Sequence, residues 1–408
     1  MNNKLIFNKI AHRIVLFFCL IPLSGYGQSG DSVAKALVDM GFENVSWIED
    51  DEERVFVFEN TPYRLNGVGV GKAIDLIQES GLPEKKSCRV IVVENNVPQI
   101  SLNYQPVIAD SAVKAMRQDW EVKYDLGNSW KKIRKAKRKN SSLYKVDIVV
   151  YPEFYFRNYR LSVIYEIVLN ASPAVEISLW KGMKLTGQVI FPIINDYGRR
   201  YEQIRPGFVT LSQTVRLPYN TFLTGSVGTF GSFRWGFDAR AKHVLKDERF
   251  VIDARISYTQ PGEYRDWEYY HGTNWTFTGH LGASFYWAQF NTNFSIKGER
   301  YFRNEYGARL DMVRNFRHAS IGLYFMKVQH AGNRGYNGGF RFAFALPPYK
   351  YKRKGYLPRI TPAKSFGIGY NAGNERIYGQ GFKARPDDNV MYENSFNPYF
   401  IKSELLNF

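Results

Sequence analysis

Histidine, cysteine and hydroxyl side chains are the groups in this sequence that could support hydrolysis or metal binding. Of the six histidines, five follow residue 27: His243, His271, His280, His318 and His330. None stands in a metal-binding spacing such as H-E-x-x-H, and the two cysteines, Cys19 and Cys88, form no cluster. A hydrolase also needs a nucleophile beside an oriented base, which these spacings do not predict. The sequence therefore predicts a protein that is not an enzyme and that carries no metal and no cofactor.

Arginines within segments of alternating polar and apolar residues predict a different chemistry, the electrostatic attraction of an anion. The candidates for side chains that point into a wet interior are Arg255, Arg309, Arg314 and Arg341. Tyr and Trp rings in the same region would offer flat faces to sugar rings. The alternative interpretation is that these arginines are part of a row of charged side chains that lines a wet interior without binding a ligand. The same interpretation applies to the neighbouring Asp253.

The segments that carry these arginines alternate with a period of two, as strands with two different faces do. In the run FRFAFAL, 340–346, Phe occupies three even positions, and Arg341, Ala343 and Ala345 lie between them. Phe342 is therefore predicted to face lipid, with Arg341 on the opposite face.

Alternation of this kind recurs from residue 143 to residue 408. The chain has 30 Phe, 28 Tyr and 8 Trp at a mean hydropathy of −0.36, which suits aromatic girdles on a barrel and also a large soluble β-sandwich. About 20 residues per strand and turn predict a transmembrane antiparallel β-barrel of about 12–14 strands. The long polar stretches 260–274, 346–362 and 371–395 are predicted to be outer loops.

The N-terminus predicts export. Basic residues up to Arg13 precede the apolar run 14–23, and Gly25 and Gly27 complete a secretory signal peptide over 1–27. No later segment has 18 uninterrupted apolar residues, so any membrane crossing would use strands. The net charge of +17 would otherwise suit nucleic acid, but export excludes that partner.

Residues 28–104 are predicted to form a small periplasmic α+β domain. Helical spacing predicts helices near 33–40 and 70–80, and Asn95 with Asn96 predicts a two-residue hairpin turn. Residues 105–142 are predicted to be a basic helical linker, because seven of the nine residues 131–139 are Lys or Arg. This linker is interpreted either as a solvated connector or as a contact for an acidic surface.

Three stretches together carry a family resemblance. They are ENTPYR at 59–64, GSFRWGFDARAKH at 231–243, and the run 301–347. In the last run, the recurring positions are Tyr306, Gly307, Ala308, Leu310, Asp311, Gly335, Gly338, Gly339, Leu346 and Pro347. These stretches resemble the YjbH-type outer-membrane β-barrel family, which is associated with exopolysaccharide and capsule production.

The resemblance implies a location in the cell outer membrane and a role in export or surface assembly of an exopolysaccharide. The expected partners are an anionic polysaccharide, outer-membrane lipid and periplasmic export proteins. Two alternatives remain open: a non-conducting structural or secretion-complex barrel, and a general porin. Longer aromatic loops would favour glycan contact, whereas a plug formed by the N-terminal domain would favour a scaffold.

Overall fold

The structure, a computed structural model, describes residues 30–80, 82–83, 85–106, 115–157, 165–330, 332–372 and 378–407. The predicted signal peptide lies outside these residues. Two sheets organise the described chain, one of five strands near the N-terminus and one of fifteen strands in the rest. The chain is therefore mostly β, as its period-two alternation predicts.

The five-stranded sheet forms a small domain with helices on both faces. Its elements are α1 (Gly30–Met40), β1 (Glu43–Glu49), β2 (Glu53–Glu59), α2 (Asn66–Glu79), β3 (Ser87–Glu94), β4 (Val97–Tyr104), β5 (Glu121–Lys123) and α3 (Ser129–Ile133). The strands follow the order β1-β2-β3-β4-β5, and β2 and β3 are parallel because α2 crosses between them. Asn95 and Asn96 have φ of 47° and 63°, which confirms the predicted hairpin turn.

Both faces of this small sheet are apolar. In β2, Phe56 and Phe58 join a core with α1 and α2, whereas Val55 and Val57 join a second core with α3. Strands that are covered on both faces lose the polar alternation of a half-exposed strand. The continuous apolar run in β2 follows from this burial.

The predicted linker, 105–142, is partly built into the small domain. β5 pairs with β4, so the sheet extends beyond the predicted domain boundary at residue 104. The Lys132 ammonium lies 2.7, 3.2 and 3.2 Å from the carboxylates of Asp50, Glu52 and Glu53. Part of the basic run therefore contacts an acidic surface that belongs to the chain itself.

The fifteen-stranded sheet is a meander, and most of its strands are long. They are β6 (Val146–Arg157), β7 (Glu166–Trp180), β8 (Met183–Asn195), β9 (Arg205–Leu217), β10 (Thr221–Phe230), β11 (Arg234–Val244), β12 (Phe250–Arg265), β13 (Glu268–His271), β14 (Thr276–Trp287), β15 (Thr292–Arg300), β16 (Tyr306–Asn315), β17 (Ala319–His330), β18 (Asn333–Ala345), β19 (Arg359–Pro362) and β20 (Ser365–Asn371). Short 3₁₀ turns are Arg117–Asp119, Arg199–Tyr201, Ala288–Phe290 and Phe302–Asn304. β13 lies off the main strand order and pairs with the end of β12.

The two strands at the ends of this sheet, β19 and β20, follow each other in the sequence. The order of paired strands begins at β19, which pairs in parallel with β6, and ends at β20, which pairs with β18. Only Ala363 and Lys364 separate β19 from β20. The Ala363 amide donates to the Val150 carbonyl at 2.8 Å, and the Leu346 amide donates to the Lys364 carbonyl at 3.1 Å. Within the described ranges no ladder joins β20 directly to β6, so the strand pairing itself is not a closed ring.

The C-terminal segment, residues 378–407, passes across one face of the large sheet. We call this face the inner face and the opposite one the outer face. Helix α4 (Val390–Glu393) packs with its Val390 on Val313 and Ala343. Helix α5 (Pro398–Leu406) then packs on α2 and inserts Ile401 and Leu405 into the small-domain core.

This course corrects the prediction that 371–395 is an outer loop. Residues 373–377 lie outside the described residues, but 378–395 contact the inner face. The physical reason is that a wet interior and an exposed loop select the same polar residue types, so composition does not distinguish them.

The small domain covers one end of the large sheet, which we call the small-domain end. The Arg216 guanidinium donates to the carbonyls of Pro98 at 3.1 Å and Gln99 at 2.9 Å. Glu248 accepts the backbone amide of Tyr124 at 2.9 and 3.0 Å. The core of the small domain also includes Phe222 and Val244 from the large sheet.

Candidate functional site

The inner face of the large sheet carries the polar side chains that the sequence predicted. In β12, Asp253 and Arg255 point inward, whereas Ile252 and Ile256 are exposed on the outer face. The period-two geometry of a strand accounts for this division. Three of the four predicted arginines, those at 255, 309 and 341, lie on the inner face.

Arg255 is held between a strand carboxylate and the C-terminal segment. Its Nε donates to Asp238 Oδ1 at 2.5 Å, and its Nη1 donates to the Phe382 carbonyl at 3.2 Å. The guanidinium carbon lies 4.4 Å from the centre of the Phe382 ring. Asp238 also accepts Arg240 Nε at 2.9 Å and Ser257 Oγ at 2.7 Å, so this carboxylate organises two arginines.

Arg309 and Arg341 share a second carboxylate. Arg309 donates twice to Asp311, at 2.8 and 2.9 Å, and Arg341 Nη2 donates to the same carboxylate. The Tyr324 ring lies 4.5 Å from the Arg309 guanidinium. The three arginines on adjacent or nearby strands are therefore paired rather than left as free positive charges.

Arg314 lies on the outer face, and its predicted place in the interior is wrong. It is exposed in the same row as Leu310 and Met312, and its guanidinium lies 5.2 Å from the Phe316 ring. Arg309 and Arg314 are five positions apart, and an odd separation in a regular strand places two side chains on opposite faces.

The paired charges limit which ligands the inner face can bind. A carboxylate beside each inward arginine cancels much of the attraction for a free anion. A ligand that binds there must therefore match both signs or replace one of the existing carboxylates. The net charge of +17 alone does not describe this interior.

A functional segment that the sequence interpretation missed is the C-terminal stretch around Asp388. Arg240 makes a two-bond contact with the Asp388 carboxylate, at 3.0 and 2.7 Å. Asp388 Oδ2 also accepts the backbone amides of Ala384 at 3.0 Å and Arg385 at 3.2 Å. The run Asp387–Asp388 was the available signal, because an acidic pair in a basic chain needs cationic partners.

A cavity of about 1190 Å³ lies between the inner face, the small domain and the C-terminal segment. Its lining includes charged, amide and aromatic groups such as Glu153, Tyr155, Asn170, Arg205, Arg240 and Asp388. The Oδ1 atom of Asn170 is buried and has no hydrogen-bond partner within the described structure. Planar polar groups beside aromatic rings can bind the hydroxyl groups and ring faces of sugars.

His280 and His243 lie in the large sheet and contact neighbouring side chains. His280 lies with Nε2 at 2.6 Å from Asp253 and Nδ1 at 3.5 Å from Glu299. His243 Nδ1 lies 2.8 Å from the hydroxyl of Thr221. Both ring nitrogens of His280 face carboxylates rather than a hydroxyl or thiol group. Among the residues that the structure describes, no group of three or more His, Cys, Asp or Glu could hold a metal ion.

Comparison with known proteins gives no match to a family model, to a curated protein or to a solved structure. None of the helices within the described ranges has the length and apolar character to cross a membrane.

Proposed function

We propose that the chain is an outer-membrane β-barrel protein that assists export or surface assembly of an exopolysaccharide. The observation that carries the proposal is the two-sided large sheet, with an apolar outer face and a charged cavity on the inner face. The YjbH-type resemblance supports the same assignment. The small domain, predicted from the sequence to be periplasmic, would then lie on the periplasmic side.

The outer face supports contact with lipid. Ile296 pairs with Leu310, which pairs with Phe325, and these three side chains are 56, 51 and 51% exposed. Water-soluble proteins rarely expose contiguous apolar patches larger than a few hundred Å². Other exposed apolar side chains of the outer face are Ile252, Ile256, Leu281, Ile321, Leu323, Phe342 and Phe344.

The strand order supports a closed barrel. If β13 is left out and β19 and β20 count as one segment, thirteen strands remain, within the predicted 12–14. A meander with an odd number of strands can close only with one parallel junction, and β19 with β6 supplies it. The stacked rings of Phe156 and Tyr370, 5.7 Å apart, lie across the same junction.

A second candidate function is a non-conducting scaffold in a secretion complex. The specific observation in its favour is that the C-terminal segment crosses the inner face while the small domain covers one end. A general porin is less favoured, since a porin keeps an aqueous channel. Polysaccharide binding by the folded protein separates the glycan proposal from the scaffold.

The first experiment is electrophoresis of the outer-membrane fraction with and without boiling. We expect a membrane-bound band that shifts on boiling, because closed barrels resist unfolding by detergent. Electrophoresis of the folded protein through gels that contain polygalacturonate or neutral dextran then tests glycan binding. Retardation by polygalacturonate supports the proposal. A soluble protein without a shift would overturn the barrel, and a folded barrel that neither polymer retards would favour the scaffold.

A further inference from the structure

Asp388 binds at a cluster of cations on the inner face. The cluster consists of Arg240 on β11, Arg255 on β12 and Lys184 on β8. Arg240 holds Asp388 by two hydrogen bonds, and Lys184 lines the same cavity as the adjacent Asp387. We call Arg240, Arg255 and Lys184 the cationic site.

The strands alone do not neutralise the cationic site. Their own carboxylates are Asp238, between the two arginines, and Glu176, which lies 2.8 Å from Lys184. Three cations therefore face two anions. The C-terminal segment adds Asp387 and Asp388 together with Arg385, whose Nε lies 3.9 and 3.5 Å from their carboxylates, and so brings the charges into balance. The Nη2 atom of Arg255 is buried and lacks a hydrogen-bond partner in the described part of the chain, so the site retains an unused donor.

The C-terminal segment holds this position through polar contacts together with the apolar contacts of Phe382, Ala384 and Val390. The Gly231 amide donates to the Lys383 carbonyl at 3.0 Å, and Asn389 Nδ2 donates to Ser365 Oγ at 2.9 Å. Phe382 adds a ring contact with Phe230, with centres 5.3 Å apart. Polar contacts of this kind exchange readily with those of a charged ligand, because each partner can be satisfied again.

The downstream anchor is independent of the cationic site. Helix α5 inserts Ile401 and Leu405, both fully buried, into the small-domain core. Nine residues separate Asp388 from the first residue of that helix, Pro398. Release of the stretch at Asp388 would separate Val390 from Val313 and Ala343 but would leave α5 docked.

We infer that the cationic site binds carboxylate groups of an anionic polymer, and that Asp388 acts as an internal competitor for it. The inference rests on the proposed function for the identity of the polymer. In this arrangement the C-terminal segment occupies the site in the absence of ligand, and a polyanion displaces it. The carboxylate of a uronic-acid unit presents the same two oxygens to Arg240 as Asp388 does.

A disulfide between the C-terminal segment and the sheet tests the displacement. A Cβ on Gly231 would lie 3.5 Å from the Cβ of Lys383, within the range that a disulfide requires. The variant is Gly231→Cys with Lys383→Cys. Cys88 stays outside the reaction, since it is fully buried and burial raises its pKa to about 12.

The measurement is binding of fluorescent polygalacturonate to the folded full-length protein in detergent. We expect the oxidised double-cysteine protein to bind at least about tenfold more weakly than its reduced form. The two single-cysteine variants are the matched controls and should not respond to reduction.

Asp388→Asn provides a test without a crosslink. It keeps the size of the side chain and removes its charge, so binding should become about fivefold tighter or more. Asp247→Asn is the control, because Asp247 pairs with Arg249 in an exposed turn at the small-domain end. Arg240→Gln in the Asp388→Asn background should remove the gain.

The outcomes separate this inference from the proposed function. If polygalacturonate binds equally well to the locked, unlocked and Asp388→Asn proteins, the internal competition is overturned and the glycan-binding barrel stands. If the folded Asp388→Asn protein binds no polygalacturonate, the carboxylate site is overturned. Failure of wild type to bind either polymer of the gel assay would overturn the glycan function as well.

Discussion

Glu404 is a buried carboxyl group at the contact between helices α2 and α5. It is 7% exposed, and its Oε2 accepts the Gly67 amide at 3.0 Å. A Cβ on Gly67 would lie 2.3 Å from the Cβ of Glu404, so glycine permits this close approach. Burial raises the pKa of Glu404 to about 7, although the Gly67 amide and Arg317 act in the opposite direction.

This pKa predicts that stability falls as pH rises from about 4.5 to about 7. The folded chain binds the proton more tightly than the unfolded chain, whose carboxyl has the ordinary value of 4.5. Below this range both states are protonated, and above it the folded state contains a buried anion, which costs about 3 kcal/mol. Glu404→Gln should remove that loss and unfold at a higher temperature than wild type at pH 8, but not at pH 5.

Thermal unfolding in detergent micelles at both pH values measures the effect. The matched control is Glu121→Gln, at an exposed position paired with Lys123. Parallel pH profiles for wild type and Glu404→Gln would contradict the raised pKa.

The arginines show what residue-level prediction could and could not provide. Three of the four inward assignments agree with the structure, because alternation in β12, β16 and β18 is regular. The error at Arg314 was avoidable, since Arg309 and Arg314 cannot share a face of an uninterrupted strand. The carboxylate partner of Arg255, Asp238, lies on the neighbouring strand, so it depends on strand register and was not predictable from the spacing within one strand. Asp311 lies two positions from Arg309 on the same face of β16, so that pair was predictable from the spacing.

At the scale of elements, the apolar outer face predicts that a charged substitution in the middle of a strand destabilises the protein more than one in a loop. Leu310 lies in the middle of β16, and Leu357 lies in the loop before β19; both are exposed. If the sheet spans a membrane, Leu310→Arg places a cation in hydrocarbon and costs about 2–4 kcal/mol. Leu357→Arg is the matched control and should cost little.

Folding into phosphatidylcholine vesicles, followed by the boiling-dependent band, measures this difference. We expect a smaller folded fraction for Leu310→Arg than for Leu357→Arg. Equal folded fractions would mean that the outer face does not contact lipid.

Element boundaries agree best where local chemistry determines them. The first helix was predicted near 33–40 and is Gly30–Met40, and the second was predicted near 70–80 and is Asn66–Glu79. The C-terminal segment was misplaced because its partners, including Arg240 for Asp388, are about 150 residues away in sequence. Local patterns contain no information about such contacts.

At the scale of the whole molecule, the small domain lies at one end of the large sheet, where it would restrict passage through the proposed barrel. Polar contacts hold it at the small-domain end, since Arg216 binds two carbonyls of β4 and Glu248 binds the amides of Tyr124 and Asp125. Phe222 adds apolar contact with Tyr124, their ring centres 6.4 Å apart. Removal of the polar contacts should loosen this end without changing the strands.

The double variant Arg216→Ala with Glu248→Ala should therefore raise the ion conductance of the proposed barrel in planar bilayers severalfold. The boiling-dependent band should persist, because neither residue belongs to the outer face. Lys246→Ala, in the same turn as Glu248, is the control and should keep the wild-type conductance. If the double variant folds and its conductance equals that of wild type, the small domain does not close this end, and the C-terminal segment on the inner face remains the element that restricts the interior.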